Sequence, residues 1–205
     1  MFEERPLTPG MGKVRTPVAG VGINDSWYAT GYLDKERKKV TCPYYATWSG
    51  MLERIFSAKF HERQPTYKEC TVEESWKVFS NFRQWMKSQD WEGKALDKDL
   101  LIQGNKHYGP HTCIFVPTAL NGLLALRANA RGVYPLGVTR SVNNGNVYFT
   151  ARCCFYGKQK TIGSYKTPEE ASAAYIATKL KYIQELAAAE KNPKIRDALL
   201  RISLP

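Results

Sequence analysis

The sequence predicts an α+β protein, in which a mainly helical region precedes a three-stranded antiparallel sheet packed on one helix. Three observations support this fold class. Apolar residues between Tyr45 and Ile55 recur at helical spacing. Apolar and polar residues alternate between Val147 and Tyr156, as they do in a strand that is covered on one face only. The segment Thr167–Glu170 has the sequence of a helix N-terminus, with proline at the first helical position.

The N-terminal part of the chain, residues 1–43, is predicted to be an extended arm. Residues 1–26 are rich in proline, glycine and threonine and show little periodicity. Residues 33–40 are charged, which is typical of a solvated loop. Helical periodicity begins only at Tyr44, so the arm is expected to end there.

Residues 44–130 are predicted to form a domain of three helices and two strands. The aromatic residues of the second helix have helical spacing, so they are expected in the core rather than on a base-stacking surface. A loop rich in glycine and asparagine separates the two strands. The predicted elements are a helix from Tyr44, a helix at Trp76–Trp85, strands at Ala95–Leu101 and Cys113–Val116, a helix at Ala119–Ala128 and a linker at Asn129–Tyr134.

Residues 131–190 are predicted to form the three-stranded sheet and its helix. Asn143–Asn146 is a hairpin turn signal, and Gly157 provides the second turn. The predicted strands are Leu136–Arg140, Val147–Tyr156 and Lys158–Tyr165. The predicted inner face of the helix consists of Ala171, Ala174, Tyr175, Thr178, Tyr182 and Leu186.

The second face of this sheet is predicted to remain uncovered. Alternation places Phe149 and Ala151 under the helix and Thr150 and Arg152 on the opposite side. A basic face able to form hydrogen bonds suits insertion into the major groove of DNA. The residues predicted on or near it are Arg140, Tyr148, Thr150, Arg152, Lys158, Lys160 and Thr161.

A terminal helix is predicted within residues 191–205, because its apolar residues also have helical spacing. It is expected either to dock on the body of the protein or to pair with a second copy, which would make a homodimer.

The chain of 205 residues has a net charge of +11 and a sequence pI of about 9.4. Such an excess attracts polyanions, although a basic protein without a nucleic-acid partner has the same composition. No apolar run is long enough to span a membrane, and the N-terminus lacks a signal-peptide core, so a cytoplasmic protein is expected. The five cysteines lack zinc-site spacing and are expected to be reduced and mostly buried.

The C-terminal region resembles the APETALA/ethylene-response-factor family of DNA-binding domains. The resemblance rests on LGV and, after the predicted turn, on NVYFTARCCFYGKQKTIGSYKTPEEASAAYIATK. In that family the sheet contacts base edges in the major groove of double-stranded DNA. Plant members carry arginine in place of Thr139 and Cys154, so their base preference is not transferred. The DNA-facing residues that the resemblance implies are Thr139, Arg140, Arg152, Cys154, Gln159 and Thr161.

The middle of the chain, from Tyr45 to Leu124, resembles phage HNH-type endonucleases of the His-Me finger superfamily. The segments that carry the resemblance are Y-x2-W-x2-ML-x-R, PTYKECTVEESWKVFSNFRQW, LDKDL and GNKHYGPHTCIFVP. The resemblance implies a ββα-metal element that binds Mg²⁺ or Mn²⁺. No zinc is expected, because the cysteines and histidines lack the spacing of zinc ligands. It also implies a phosphate contact by Arg54.

The catalytic residues of that motif are only partly present. Asp97 matches the metal-binding carboxylate, and Thr112 stands where a metal-binding asparagine is usual. Lys98 replaces the general-base histidine, and an unperturbed lysine with a pKa near 10.4 is a poor base at pH 7. His107 and His111 lie in the intervening loop and are the alternative candidates for a base or ligand.

These features lead to three hypotheses for the function. The first is a DNA endonuclease of phage or mobile-element type that selects its site with the C-terminal sheet. The second is a catalytically inactive DNA-binding regulator or host-factor inhibitor derived from such a nuclease. The third is an effector whose basic surface binds an acidic host protein. In each case the expected location is the bacterial host cytoplasm, without a membrane partner.

Overall fold

The computed structural model describes residues 2–8, 15–124, 133–155 and 158–204, and in this part the chain is mixed α/β. The chain divides into two compact units. The first contains Met1–Glu92 and Gly104–Phe115, and the second contains Gly93–Gln103 and Val116–Pro205. The short segment Gly93–Gln103 therefore belongs to the same unit as the C-terminal part of the chain.

Six α-helices and four small sheets form the described structure. The helices are α1 (Pro43–Phe56), α2 (Ala58–Arg63), α3 (Phe79–Lys87), α4 (Thr118–Leu124), α5 (Pro168–Ala189) and α6 (Pro193–Leu200). The strands are β1 (Gly31–Leu33), β2 (Lys39–Thr41), β3 (Thr71–Val72), β4 (Lys94–Asp97), β5 (His107–Tyr108), β6 (Ile114–Pro117), β7 (Val138–Asn143), β8 (Asn146–Phe155) and β9 (Lys158–Tyr165).

The core of the first unit lies between α1 and α3. Trp48, Met51 and Leu52 of α1 are fully buried, as their helical spacing predicts. The indole Nε1 of Trp48 donates a hydrogen bond to the Trp76 carbonyl at 2.6 Å, so this buried polar group is satisfied. Phe79 packs on Trp48 with ring centroids 5.3 Å apart. The aromatic residues predicted for the core are therefore largely buried there.

The predicted start of the second helix at Trp76 is wrong. Trp76 lies in a separate 3₁₀ turn, Glu74–Lys77, and α3 begins at Phe79. The main chain around Val78 is extended and pairs with Ile23, whose N–H donates to the Lys77 carbonyl at 2.8 Å. This pairing with a residue remote in sequence interrupts the helical hydrogen bonds.

The N-terminal arm contains short paired segments. The charged stretch 33–40, predicted as a loop, contributes to the antiparallel strands β1 and β2, which are joined by an exposed turn. Pro6 forms an isolated bridge with Tyr28, and Glu4 pairs with Arg83 of α3. The arm is thereby attached to the first unit through both its main chain and a salt bridge.

The three-stranded sheet of the second unit has the order β7–β8–β9, with both pairs antiparallel. Asn144 and Gly145 form a two-residue turn with φ values of 48° and 77°, the left-handed geometry that asparagine and glycine tolerate. The predicted third strand has the observed bounds, whereas β7 continues to Asn143 beyond its predicted end.

The helix α5 packs on one face of this sheet and begins at the predicted capping box. The Thr167 hydroxyl accepts from the Glu170 N–H, and the Glu170 carboxylate accepts from the Thr167 N–H, each at 3.2 Å. Of the six residues predicted for its inner face, Ala171, Tyr175 and Tyr182 are buried. The other three, Ala174, Thr178 and Leu186, are half-buried. The inner face also contains Lys179, at 3% relative exposure, whose Nζ donates to the Tyr175 hydroxyl at 3.2 Å.

The terminal helix α6 packs against α5, with Ile195, Ala198 and Leu199 buried. Its apolar face is therefore covered within this chain, which is the first of the two arrangements that the sequence left open.

Candidate nucleic-acid interface

The strand register of the sheet in the second unit defines two faces. The helix-covered face contains Val138, Ala151 and Cys153, which are all buried. Phe155 lies on the same face and contacts Tyr182 of α5, with ring centroids 4.8 Å apart. Burial under α5 raises the pKa of the Cys153 thiol. These contacts identify the opposite side, called the open face below, as the side that α5 does not cover.

The open face consists mainly of uncharged polar side chains. Six cross-strand pairs lie on it, because residues directly opposite each other in antiparallel strands share a face. As the sequence predicts, Tyr148, Thr150, Arg152, Gln159 and Thr161 belong to these pairs. The pairs are Thr139 with Thr150, Ser141 with Tyr148, Asn143 with Asn146, Thr150 with Ser164, Arg152 with Thr161, and Cys154 with Gln159.

The prediction that Arg140 shares a face with Arg152 is wrong. Arg140 pairs with Phe149, and both alternate with the residues of the open face. Lys158 and Lys160 also have the parity of the helix-covered face, since they pair with Phe155 and Cys153. Lys160 Nζ lies 5.5 Å from the centroid of the Phe155 ring. All three basic side chains are exposed, so they form a positive rim around the sheet and not its open face.

A row of three hydroxyl groups crosses all three strands on the open face. The Thr150 hydroxyl lies 3.1 Å from Ser141 Oγ and 3.2 Å from Ser164 Oγ, so hydrogen bonds link β7, β8 and β9 through side chains. Thr150 is buried at the centre of the row, whereas Ser164 is exposed. Ser141 and Ser164 are absent from the sequence prediction. Counting residues back from the two-residue Asn144–Gly145 turn would have placed Ser141 on this face.

Arg152 is the charged residue of the open face, among the described residues of the sheet. Its side chain is exposed, and its guanidinium has no hydrogen bond or ion pair with another described residue. The main-chain N–H of Arg152 donates to the Gly137 carbonyl at 2.8 Å. The pairing of β8 with β9 shifts register between Ala151 and Arg152, because Ile162 of β9 is an extra residue without a partner in β8. Bulges bend a strand and redirect its side chains.

The net charge is distributed unequally between the two units. The second unit contains 15 lysine and arginine residues and 7 acidic residues, a net charge of +8. The first contains 15 basic and 12 acidic residues, a net charge of +3. The unit that contains the open face therefore has most of the attraction for a polyanion.

Asp97, the predicted metal-binding carboxylate, lies at the end of β4 in the second unit. Its Oδ1 accepts hydrogen bonds from the N–H groups of Asp99 and Leu100, at 2.8 and 2.7 Å. Burial raises the pKa of this carboxyl, and the two N–H donors oppose the shift. The adjacent Lys98 is buried as well, and its Nζ lies 2.6 Å from Asp99 Oδ1. Both side chains thus have local partners, and Oδ2 is the Asp97 oxygen that remains for a metal ion.

The other predicted catalytic residues, His107, His111 and Thr112, belong to the first unit. His107 Nδ1 lies 2.9 Å from the Thr71 hydroxyl, and Nε2 lies 3.8 Å from a carboxylate oxygen of Glu73. The Thr112 hydroxyl donates to the His107 carbonyl at 2.8 Å. His111 is exposed in the following turn. Sequence spacing did not identify Thr71 or Glu73, because they approach His107 only through the parallel pairing of β3 with β5.

Arg54, predicted as a phosphate contact, is directed toward Tyr108 within the first unit. It donates a hydrogen bond to the Tyr108 side chain, and its guanidinium carbon lies 6.0 Å from the centroid of that ring. Burial raises the pKa of the Tyr108 hydroxyl despite the nearby positive charge. The side chain of Arg54 is half-buried, so only part of it faces solvent.

In the described ranges, no group of three or more His, Cys, Asp or Glu side chains is arranged to hold a metal ion. The cysteines are free, and Cys154 is the exposed one. None of the helices in the described part of the chain is both long and apolar enough to cross a membrane. Comparison of the chain with family models, with curated proteins and with solved structures found no match.

Proposed function

We propose that this protein binds double-stranded DNA through the open face of the β7–β8–β9 sheet. The observation that carries the proposal is the uncommitted guanidinium of Arg152 on an exposed face of hydroxyl-bearing side chains. Arginine and hydroxyl groups are the side chains that proteins commonly use to contact base edges. A sheet covered on one side by a helix presents its other side as a ribbon, and the major groove of B-DNA accommodates such a ribbon.

The basic rim supports the same proposal. Arg140, Lys158 and Lys160 are exposed on the outer strands β7 and β9, with the parity of the helix-covered face. In a complex of this kind, side chains at the edge of the inserted element contact phosphates, whereas those on its face contact bases. On this sheet Arg152 and the hydroxyl groups lie on the open face, and the other three basic side chains lie on the outer strands, which matches that division.

The proposal is tested by measuring the fluorescence anisotropy of a labelled DNA duplex titrated with the protein at several salt concentrations. We expect binding that weakens as salt increases, and a further loss of affinity in Arg152→Ala. The exposed Lys35 of the first unit provides the control variant, Lys35→Ala, which should bind as the wild type does. A protein that binds no duplex at moderate salt would contradict the proposal and would favour an acidic protein as the partner of the basic surface.

A second candidate function is metal-dependent cleavage of DNA. The observation that favours it is the order β4, β5, β6, α4, in which β4 pairs with β6 and α4 packs against β4. A ββα-metal element requires such a strand–loop–strand–helix order, with the acidic residue where Asp97 stands. A divalent ion in such an element stabilises the leaving oxygen of the phosphodiester. Asp97 would bind that ion.

Incubation of supercoiled plasmid with the protein in Mg²⁺, Mn²⁺ or EDTA tests the cleavage hypothesis. We expect nicked or linear DNA with the metals, none with EDTA, and none with Asp97→Ala. The Arg152→Ala variant should still cleave the DNA that it binds. If the wild-type protein binds plasmid and leaves it intact under every condition, the DNA-binding proposal stands and the nuclease hypothesis fails.

A further inference from the structure

We propose that the first unit contains a binding surface for an extended, carboxylate-bearing peptide of a partner protein, and that residues 2–8 occupy this surface as an intramolecular ligand. The inference does not depend on the proposed DNA binding, which involves the second unit. The arm-binding surface consists of the main chain of residues 27–29 and the side chains of Tyr28, Tyr32, Tyr44 and Arg83.

The main chain of residues 2–8 lies on this surface as an added antiparallel strand. The Leu7 N–H donates to the Trp27 carbonyl at 3.2 Å. The Ala29 N–H donates to the Arg5 carbonyl at 2.9 Å. Pro6, which has no N–H to donate, lies between these two bonds. Pairing of this kind binds extended peptides through their main chain, and alternate side chains provide the specificity.

Two alternate side chains of the arm, Phe2 and Glu4, contact the arm-binding surface. The ring centroid of Phe2 lies 6.0 Å from that of Tyr28 and 5.5 Å from that of Tyr32. The Glu4 carboxylate forms a salt bridge with Arg83 of α3. Residues two positions apart in an extended strand lie on the same face. The surface therefore suits a peptide with an aromatic residue, a carboxylate two positions later and a proline two positions after that.

Arg83 is the residue that makes a carboxylate necessary. Its guanidinium carbon lies 5.2 Å from the ring centroid of Tyr28 and 5.7 Å from that of Tyr44. The ring faces attract the positive charge and hold the guanidinium between them. The side chain is only 18% exposed, and a charge that is largely removed from water requires a partner. In this structure Glu4 is that partner.

The arm leaves one donor of Arg83 unused. Glu4 accepts a hydrogen bond from Nη2, whereas the buried Nε has no hydrogen-bond partner among the described residues. A carboxylate that accepts from two nitrogens of a guanidinium binds more strongly than one that accepts from a single nitrogen. A covalently attached arm has an effective concentration of about millimolar, so it occupies the surface with little intrinsic affinity. A partner peptide that forms the second hydrogen bond can therefore displace it.

The test uses a fluorescent peptide with the sequence of residues 2–8, FEERPLT, and the full chain with Phe2→Ala and Glu4→Lys, which weaken its own arm. Anisotropy should show that this variant binds the peptide at least about tenfold more tightly than the wild type, whose arm competes. The Glu4→Lys peptide should bind about tenfold more weakly or worse, because it loses a charged hydrogen bond. The matched control is the Glu3→Lys peptide, which should bind as its parent does, because Glu3 pairs with the exposed Arg5 of the arm itself.

Reversal of the charge on the protein provides a second measurement. In the full chain with Phe2→Ala and Glu4→Lys, a further Arg83→Glu substitution should reverse the preference, so that the Glu4→Lys peptide binds more tightly than FEERPLT. If thermal melting shows that Arg83→Glu does not fold, the three peptides on the arm-weakened variant decide the question alone. An arm-weakened variant that binds none of the three peptides, or binds all three equally, would overturn the proposal.

Selection from a library of random seven-residue peptides on the wild-type protein tests whether the ligand is a partner protein. We expect enriched peptides with an aromatic residue, an acidic residue and a proline at intervals of two, and a library without enrichment would contradict the proposal. Light scattering distinguishes the remaining occupant, the arm of a second copy. A wild-type dimer that Glu4→Lys converts to a monomer would assign the surface to exchange of arms between copies, and would overturn the proposal of a partner protein.

Discussion

Gly137 illustrates how a single residue determines the shape of the second unit. Its φ of 77° lies in the region that residues with a Cβ rarely adopt, and the Tyr175 ring occupies the space that a Cβ would need. The same residue holds the Arg152 N–H through its carbonyl. Packing of α5 and placement of Arg152 therefore depend on the absence of one methyl group.

We expect Gly137→Ala to destabilise the protein by about 2 kcal/mol or more, because left-handed strain and a clash in a packed core add together. The free energy of unfolding in urea measures this effect. Gly145→Ala is the matched control, since Gly145 has the same φ of 77° but no atom within 4 Å of the position of a Cβ. That control should lose about 1–2 kcal/mol from strain alone. Equal losses would show that contact with Tyr175 contributes nothing.

Asp97 leads to a prediction about pH, because burial raises the pKa of its carboxyl above the ordinary value. Between the pKa of the unfolded chain, about 3.9, and the raised pKa of the folded protein, the folded state binds more protons. Stability therefore decreases as the pH rises through that window and is constant above it. Asp97→Asn retains an acceptor for the Asp99 and Leu100 N–H groups but cannot ionise. We expect it to be more stable than the wild type at pH 7 and to lose this pH dependence.

The comparison of Asp97→Asn with Asp97→Ala completes this test. The alanine variant leaves two N–H groups without their acceptor and should be destabilised by about 1–3 kcal/mol. Urea unfolding from pH 3 to pH 8 measures both variants against the wild type. If Asp97→Asn is less stable at pH 7 than the wild type, the carboxylate has a favourable role that burial alone does not explain.

At the scale of the element, the N-terminus of α5 combines two hydrogen bonds that the sequence predicts. We expect Thr167→Ala to lower the free energy of unfolding by about 1 kcal/mol, because the Glu170 N–H loses its acceptor. Thr167→Ser retains a hydroxyl and should lose much less. Urea denaturation of the two variants provides the measurement, and equal losses would mean that the cap contributes through the threonine methyl group.

Elements of this protein are predictable from sequence where their signals are local. The two-residue turn at Asn144–Gly145, the cap at Thr167 and the alternation along β8 each involve neighbouring residues. The face of Arg140 was missed because the resemblance placed both Thr139 and Arg140 on the DNA-facing side, although adjacent residues of a strand lie on opposite faces. The start of α3 was missed because the pairing of Val78 with Ile23 joins distant parts of the chain. Short-range periodicity does not contain such contacts.

The candidate site shows the same division. Alternation predicted the open-face positions of Thr150 and Arg152, since strand parity is a local property. Burial of Lys179 under the sheet was not predictable, because a lysine on a helix is ordinarily solvated. The approach of Thr71 to His107 depends on a parallel pairing between segments more than thirty residues apart. Local sequence therefore specified the sheet and its faces better than the clusters that long-range packing creates.

At the scale of the whole molecule, the unequal distribution of charge leads to a prediction about how DNA affinity depends on salt. The second unit has a net charge of +8, and the first has +3. Each phosphate contact releases a counterion, so losing a contact reduces the slope of log affinity against log salt by about one. We expect the double variant Lys158→Glu, Lys160→Glu to reduce that slope by about two, because both side chains are exposed on the rim of the sheet.

The matched control is Lys35→Glu, Lys39→Glu, which makes the same change in net charge on exposed residues of the first unit. Its effect should come from long-range repulsion alone, which salt screens within about 10 Å at 0.1 M ionic strength. The affinity of the control should therefore approach that of the wild type as salt increases, while the rim variant should remain weaker throughout the accessible range. Fluorescence anisotropy titrations at salt concentrations from about 50 to about 200 mM compare the two variants. If both change the slope equally, total charge rather than the rim of the sheet determines DNA binding.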